Sequence, residues 1–399
     1  MEIIGKGAQG CVVYPSLSCK TKRNNKKYVS KILTEHNLNE YHISKKIIKY
    51  GKQNNIDVNK YFVLIKDKCN LEIDKIPEKI VKKCDLLEDE NFNNSSFYNN
   101  RKTKKKNKFW CEYYCGFNGD YNTVFKHEEK CKKNPKNMIR LSNLKGGTKK
   151  NKKVLVLNFP YSGLSMYSYI KEFRKNNNLL KKIIKNVLQG LQILHKNNII
   201  HYDLSPDNIL TYNQIGRIID FGYSIDIDKY KSTNKSYYKN KSYYKKLLQK
   251  RCGVYERTPP EWGFFYDMIY ENEELNSGWV KSDKLKFFFE DISYSCGIFE
   301  DIDLYFGKNL KNHLSELNKF ISKVKSLDKK EDLEKYFNDY FFTEQIFKSD
   351  VYSFGKNLQI FCFKYEIKLQ KKIKKLIINM TKVDYQKRYT VDECLKFLA

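Results

Sequence analysis

The chain has 399 residues, of which 41% are hydrophobic and 31% charged, and it carries a net charge of +30 with eleven cysteines. That length leaves room for two or three domains of roughly 100–200 residues each. The longest apolar stretch, Val154 to Phe159, is strand-sized rather than the ~18 residues of a membrane span. Met1 leads straight into Glu2-Ile3-Ile4-Gly5 with no basic-then-apolar leader, so a cytoplasmic chain that is neither membrane-bound nor secreted is expected.

Residues 1–71 read as a small β-rich lobe with one helix. Glu2-Ile3-Ile4 and Cys11-Val12-Val13-Tyr14 flank Gly5-Lys6-Gly7-Ala8-Gln9-Gly10, a hairpin with a glycine-rich bend. Tyr28 to Leu33 is a third strand and Tyr61 to Ile65 a fourth, while Asn39 to Tyr50 has apolar residues 43, 47 and 48 at helical spacing. Residues 72–152 change character: runs such as Asn91 to Ser96 and Arg101 to Lys106 are polar and basic, and Gly146-Gly147-Thr148 closes an apparent insertion. Val154 to Phe159 is a buried strand, leading to a turn at 158–163. Leu179 to Lys196 is an amphipathic helix with apolar positions 180, 183, 184, 187, 188, 191 and 194. Residues 263–348 form a second insertion, in which Leu310, Leu314, Leu317, Ile321 and Val324 mark a helix. Val351 to Phe363, Lys371 to Thr381 and a short segment from Val391 are further helices.

Only eight of the 76 basic residues are Arg. The Lys excess travels with Asn and Ile, a trio that an A/T-rich coding sequence also produces. The charge would nonetheless favour acidic or nucleic-acid partners through the basic insertions, an attraction that salt screens. The cysteines are scattered and odd in number, which fits a reducing compartment and free thiols better than a disulfide framework.

The chemistry concentrates in His201-Tyr202-Asp203-Leu204-Ser205-Pro206-Asp207-Asn208, followed by Ile219-Asp220-Phe221-Gly222. An Asp, an Asn five residues on and a second Asp before Phe-Gly supply a base for a hydroxyl proton and two oxygen ligands for magnesium. Gly5-x-Gly7-x-x-Gly10-x-Val12 suits a loop whose backbone N–H groups approach phosphate oxygens; residues Ile4, Gly5, Lys6, Gly7, Ala8, Gln9, Gly10, Cys11 and Val12 would line it. Lys31, on the third strand, stands where it can reach the same phosphates. Its acidic partner would be Glu40 or Glu35, and Glu40 lies within the periodic helical segment.

In this order the motifs resemble those of eukaryotic-type protein kinases, and the resemblance runs along the whole chain apart from the two insertions. Pro259-Pro260-Glu261 resembles the end of that family's activation segment, Asp350 to Gly355 the start of the helix after it, and Arg388 the family's partner for that Glu. The Lys/Asn-rich style is similar to that of kinases from giant DNA viruses. The resemblance implies a bilobal α+β fold, with a small antiparallel β lobe and a mainly helical one. It implies ATP in the cleft, with backbone groups of 158–163 meeting the adenine. Asp203 would act as base, Lys31 paired with Glu40 would hold phosphates, Asn208 and Asp220 would hold Mg2+, and a protein Ser/Thr hydroxyl would be the acceptor.

Four positions depart from the family pattern. Tyr202 replaces the usual Arg, so control by a phosphorylated activation loop is not expected. Ser205 replaces the Lys of Ser/Thr-directed kinases, and Val254 and Arg257 replace the usual Thr and Tyr. Within the first insertion, Cys111-x3-Cys115-x11-His127-x3-Cys131 is spaced like a zinc finger, over residues 105–136. Two other readings stand beside the protein kinase. One is a small-molecule phosphotransferase of the same superfamily. The other is a catalytically weak scaffold whose basic insert binds nucleic acid or a protein partner. The expected divisions are 1–71 and 153–163 in the small lobe, 164–262 and 349–399 in the large one, with 72–152 and 263–348 inserted.

Overall fold

The computed structural model describes residues 1–7, 10–19, 27–33, 38–84, 109–110, 118–119, 153–230, 259–262, 310–327, 329–341 and 343–399. The first lobe is one antiparallel sheet of β1 (Glu2–Gly7), β2 (Gly10–Tyr14), β3 (Tyr28–Leu33), β4 (Asp67–Glu72) and β5 (Lys153–Pro160), in the order β1-β2-β3-β5-β4. β5 lies inside the sheet, between β3 and β4, and its run of apolar residues is buried on both faces, the pattern of a strand with no solvent side. The register places Lys31 opposite Val12 on β2 and Leu157 on β5. Helix α1 (Asn39–Gln53) packs Ile43 and Ile47 into the core and buries Glu40 on the same face.

The second lobe is mainly helical. Its centre is α4 (Asn177–Lys196), which follows the short α3 (Ile170–Lys175). Asn176 caps α4 by accepting from the backbone N–H groups of Asn178 and Leu179. The seven apolar positions read from the α4 sequence are all at most 1% exposed. Each such side chain contributes about 2 kcal/mol by leaving water. The remaining elements are two-residue strands β6 (Leu164–Ser165) and β7 (Ile199–Ile200), the hairpin β8 (Ile209–Tyr212) and β9 (Ile215–Ile218), and β10 (Ile225–Asp226). Helices α5 (Leu310–Lys325), α6 (Lys330–Phe341), α7 (Lys348–Lys364), α8 (Lys371–Met380) and α9 (Val391–Leu398) complete it. α9 opens on a capping box between Thr390 and Glu393. The architecture is the bilobal α+β one that the resemblance implies. A further pair of two-residue strands, Phe109–Trp110 and Asn118–Gly119, lies in the first insertion. Among the described residues no helix is long and apolar enough to cross a membrane.

Several expectations need correction. Tyr61 to Ile65 is not a strand. Phe62 makes one isolated parallel bridge to Ile218, with Val63 N–H donating to Ile218 O and Ile218 N–H to Tyr61 O. These residues are buried because they run between the lobes, and an unbroken apolar run does not reveal which kind of burial it answers. The fourth strand is Asp67–Glu72, and order continues past it through α2 (Glu78–Lys83) to Cys84. Ile73, Ile76, Ile80 and Val81 join the core of the small lobe, beyond the boundary expected at 71. The cysteines are not all free thiols either: Cys11–Cys84 and Cys19–Cys69 are disulfides, with Cα separations of 5.6 and 5.5 Å. Cysteines 73 and 50 residues apart meet only in the folded sheet, so their spacing gave no sign of pairing. Finally, α6 in the second insertion had no counterpart in the reading, and α7 begins at Lys348 rather than Val351.

Candidate active site

The site forms where β3, α1, the loop after β7 and the loop after β9 converge. Lys31 Nζ lies 2.9 Å from Glu40 Oε2 and 2.8 Å from Asp220 Oδ1, so one ammonium bridges α1 and the Asp-Phe-Gly segment. Burial opposes the ammonium, yet Glu40 and Asp220 outweigh it and hold Lys31 above the ordinary lysine range. Burial pushes Glu40 upward, against the pull of Lys31. The other half of the site is the loop 201–208. Asn208 Nδ2 donates to the Asp203 backbone oxygen at 2.8 Å and to its carboxylate Oδ2 at 3.1 Å. Ile219 N–H donates to Asn208 O at 3.0 Å, which sets Asn208 one residue from Asp220 along the paired backbone.

The loop conformation is held from beneath by Asp350. Its carboxylate accepts from His201 N–H and Tyr202 N–H, both at 2.8 Å, and His195 Nε2 lies 3.2 Å from Oδ2. Burial acts against the Asp350 charge, but the His195 contact, His201 and the Tyr202 N–H together hold its carboxyl below the usual carboxylate range. The contact offsets strain at Tyr202, whose φ is positive at 69°, a region costly to a bulky side chain; Asp220, at φ 59°, is held separately by Lys31. Phe221 is fully buried and packs its ring edge-on against His201 at 5.3 Å and Phe62 at 5.9 Å.

Gly10 shows why the glycine loop needs that residue. Its φ is +149°, and a Cβ there would stand 2.0 Å from Ile32 O. Ile4, Gly5, Lys6, Gly7, Cys11 and Val12 lie on β1 and β2 around it, whereas Ala8 and Gln9 lie outside the described residues. At 158–163 the backbone is less available than expected. Asn158 O accepts from Lys66 N–H at 2.8 Å, Tyr161 N–H donates to Lys27 O at 2.9 Å, and Pro160 carries no N–H. The Asn158 side chain is itself buried, taking a hydrogen bond from Ser30 and donating to Asp67.

Glu261 and Arg388 meet as a fully buried bidentate pair, with Nη1–Oε1 at 2.6 Å and Nη2–Oε2 at 3.1 Å. Ser205 is buried and brings no cation to the loop. The candidate zinc ligands Cys111, Cys115, His127 and Cys131 lie outside the described residues, as do Glu35, Val254 and Arg257. Among the described residues no group of three or more His, Cys, Asp or Glu is arranged to hold a metal. Asn208 and Asp220 nonetheless offer an amide oxygen and a partly exposed carboxylate, hard oxygen donors of the kind magnesium takes when nucleotide phosphates complete its shell.

Two positioning contacts were not anticipated. Asn39 Nδ2, at the start of α1, gathers the backbone oxygens of Phe221, Gly222 and Ser224 at 3.2, 3.1 and 2.7 Å. Lys46, two turns further along α1, forms ion pairs with Asp226 and Asp228. In the sequence, Asn39 passed as a helix-start residue and Lys46 as one more lysine.

Residues 123–262 match the family described as Protein kinase domain. Among curated proteins, dual specificity tyrosine-phosphorylation-regulated kinase 2 of Drosophila melanogaster is 33% identical over 84 residues, 20% of this chain and 12% of the fly protein. Calcium-dependent protein kinase 4 of Plasmodium berghei is 54% identical over 48 residues, 11% of this chain and 9% of its own. The serine/threonine-protein kinase SKM1 of Saccharomyces cerevisiae is 40% identical over 58 residues, 14% of this chain and 9% of its own. The matched stretches thus span only about a tenth of the length of these relatives. Over residues 123–262 and in its bilobal fold, the chain is similar to protein kinases.

Proposed function

We propose that this chain is a protein kinase that transfers the γ-phosphoryl group of ATP to a protein hydroxyl, serine or threonine by preference. The observation that carries the reading is Lys31 bridging Glu40 and Asp220, because it joins a charge pair on β3 and α1 to a carboxylate 189 residues further along the chain. Lys31 would hold phosphate oxygens, with Glu40 fixing its position. Asp220 and Asn208 would hold Mg2+, which neutralises charge on the phosphates when bound. Asp203, oriented by Asn208, would accept the proton of the substrate hydroxyl. Phosphoryl transfer needs positioning and charge neutralisation more than covalent chemistry, so these side chains suffice.

The Glu261–Arg388 pair favours a protein substrate over a small molecule, since it ties residues 259–262 to the large lobe as a platform beside the catalytic loop. The test is radiolabelled ATP with generic basic and acidic protein substrates, alongside Asp203→Asn and Asp220→Ala. Label should enter protein in the wild type and fall by about 10²–10⁴-fold in Asp203→Asn. Wild-type-like labelling by Asp203→Asn would sink the assignment, and label in a small molecule alone would favour a small-molecule phosphotransferase. Acid hydrolysis of the labelled protein reads the acceptor amino acid.

A further inference from the structure

Tyr202 sits beside Asp203, and its side chain is turned onto Trp262. Its side chain is buried, and its ring stacks on Trp262 with centroids 4.7 Å apart and planes tilted by 51°. Trp262, 1% exposed, donates its Nε1–H to Tyr340 Oη at 2.8 Å, and the Tyr340 hydroxyl is also hydrogen-bonded to Glu261. Tyr340 is fully buried near the end of α6, inside the segment that separates Glu261 from Asp350. Its ring meets Tyr385 edge-on at 5.1 Å, in the loop that carries Arg388. A second tie joins the same helices to that loop: Glu316 of α5 pairs with Lys382 at 2.7 Å. The helices of the second insertion are therefore built into the support of the catalytic loop.

This juxtaposition has a physical consequence. A residue at φ 69° holds its place only while its surroundings over-determine it. Asp350 fixes the two backbone N–H groups, but the ring is fixed by Trp262, and Trp262 in turn by Tyr340. A neutral ring buried on Trp262 also offers no charge with which to grip a phosphoryl group on the chain. We propose that α6 is a built-in positioning element: through Tyr340, Trp262 and Tyr202 it holds Asp203 in its working place without any phosphate on the chain. The proposal rests on the kinase reading for its consequence in turnover, and on geometry alone for its consequence in loop order.

The experiment uses the full chain with Trp110→Phe and Trp279→Phe, so that Trp262 is the one tryptophan. Tyr340→Ala is compared with Tyr340→Phe for phosphate transfer, ATP KM, Trp262 emission and amide hydrogen exchange at residues 200–205. Tyr340→Ala should lower kcat roughly tenfold while ATP KM stays within about twofold, because the nucleotide site is untouched. The same variant should speed exchange at 200–205 about tenfold and shift Trp262 emission to the red. Tyr340→Phe, which keeps the edge-on ring, should recover most of the turnover and of the exchange protection. A folded Tyr340→Ala with wild-type kcat or wild-type exchange at 200–205 overturns the proposal. If Tyr340→Ala does not fold, Trp262→Phe, which removes the hydrogen bond to Tyr340, stands in for it and is judged by kcat and by exchange at 200–205. If the wild type labels no protein at all, the kinase reading fails, and exchange at 200–205 alone decides whether α6 orders the loop.

Discussion

Replacing Arg388 by alanine removes one partner of an ion pair whose two side chains are both wholly buried. The guanidinium spends all five donors: two meet Glu261, Nε–H meets Lys382 O at 3.0 Å, Nη2 also meets Val383 O at 3.2 Å, and Nη1 also meets Lys348 O at 3.5 Å. It also lies over the Tyr352 ring at 4.5 Å. Burial opposes the guanidinium charge, but Glu261 more than offsets this and raises the Arg388 pKa further. Truncation leaves a buried carboxylate with no counter-charge and three carbonyls short of a donor, a change worth about 3–5 kcal/mol. Against a total stability of about 5–15 kcal/mol that is a large fraction. Arg388→Lys should lose about half as much, because a point charge cannot make the bidentate contact. The double variant Glu261→Gln/Arg388→Met should be less damaged than Arg388→Ala, since no unpaired charge remains. Urea unfolding followed by far-UV circular dichroism reads all three. A loss under 1 kcal/mol in Arg388→Ala, or a double variant worse than the single one, would refute the reasoning.

Three further outcomes follow from the geometry. Gly10→Ala should cost about 1–3 kcal/mol and weaken ATP binding, since its Cβ would meet Ile32 O and its φ is unfavourable; unchanged ATP affinity by calorimetry would count against a role for that bend. Asp350 has its folded-state pKa depressed, so the stability it adds is present above the unfolded value of about 3.9 and is lost as pH falls through the folded value. Acid titration of Asp350→Asn should accordingly show a shallower stability loss below about pH 4 than the wild type. Reducing Cys11–Cys84 and Cys19–Cys69 with dithiothreitol should lower the unfolding temperature, since loops of 73 and 50 residues are each worth up to about 4 kcal/mol in the chain-entropy account; thiol counting before and after reduction checks that the bonds were present.

What the sequence determined by itself is the part of the site written in short stretches. Gly5 to Val12, Lys31, Asp203 with Asn208, and Asp220 were each singled out by local spacing, and helical periodicity separated Glu40 from Glu35. The large helices were equally legible, because α4 shows its buried face every third or fourth residue. Tertiary structure alone decided the contacts that make these parts one site. Asn39 reaches carbonyls 182 to 185 residues away, and Asp350 reaches amides 148 and 149 residues back. The pairing of four cysteines, the true place of the fourth strand, and the contact of Tyr340 with Trp262 under Tyr202 belong to the same class. Such contacts leave no periodic trace, since a hydrogen bond or ring stack between distant segments constrains where two residues meet in space and not how either is spaced from its neighbours in the chain.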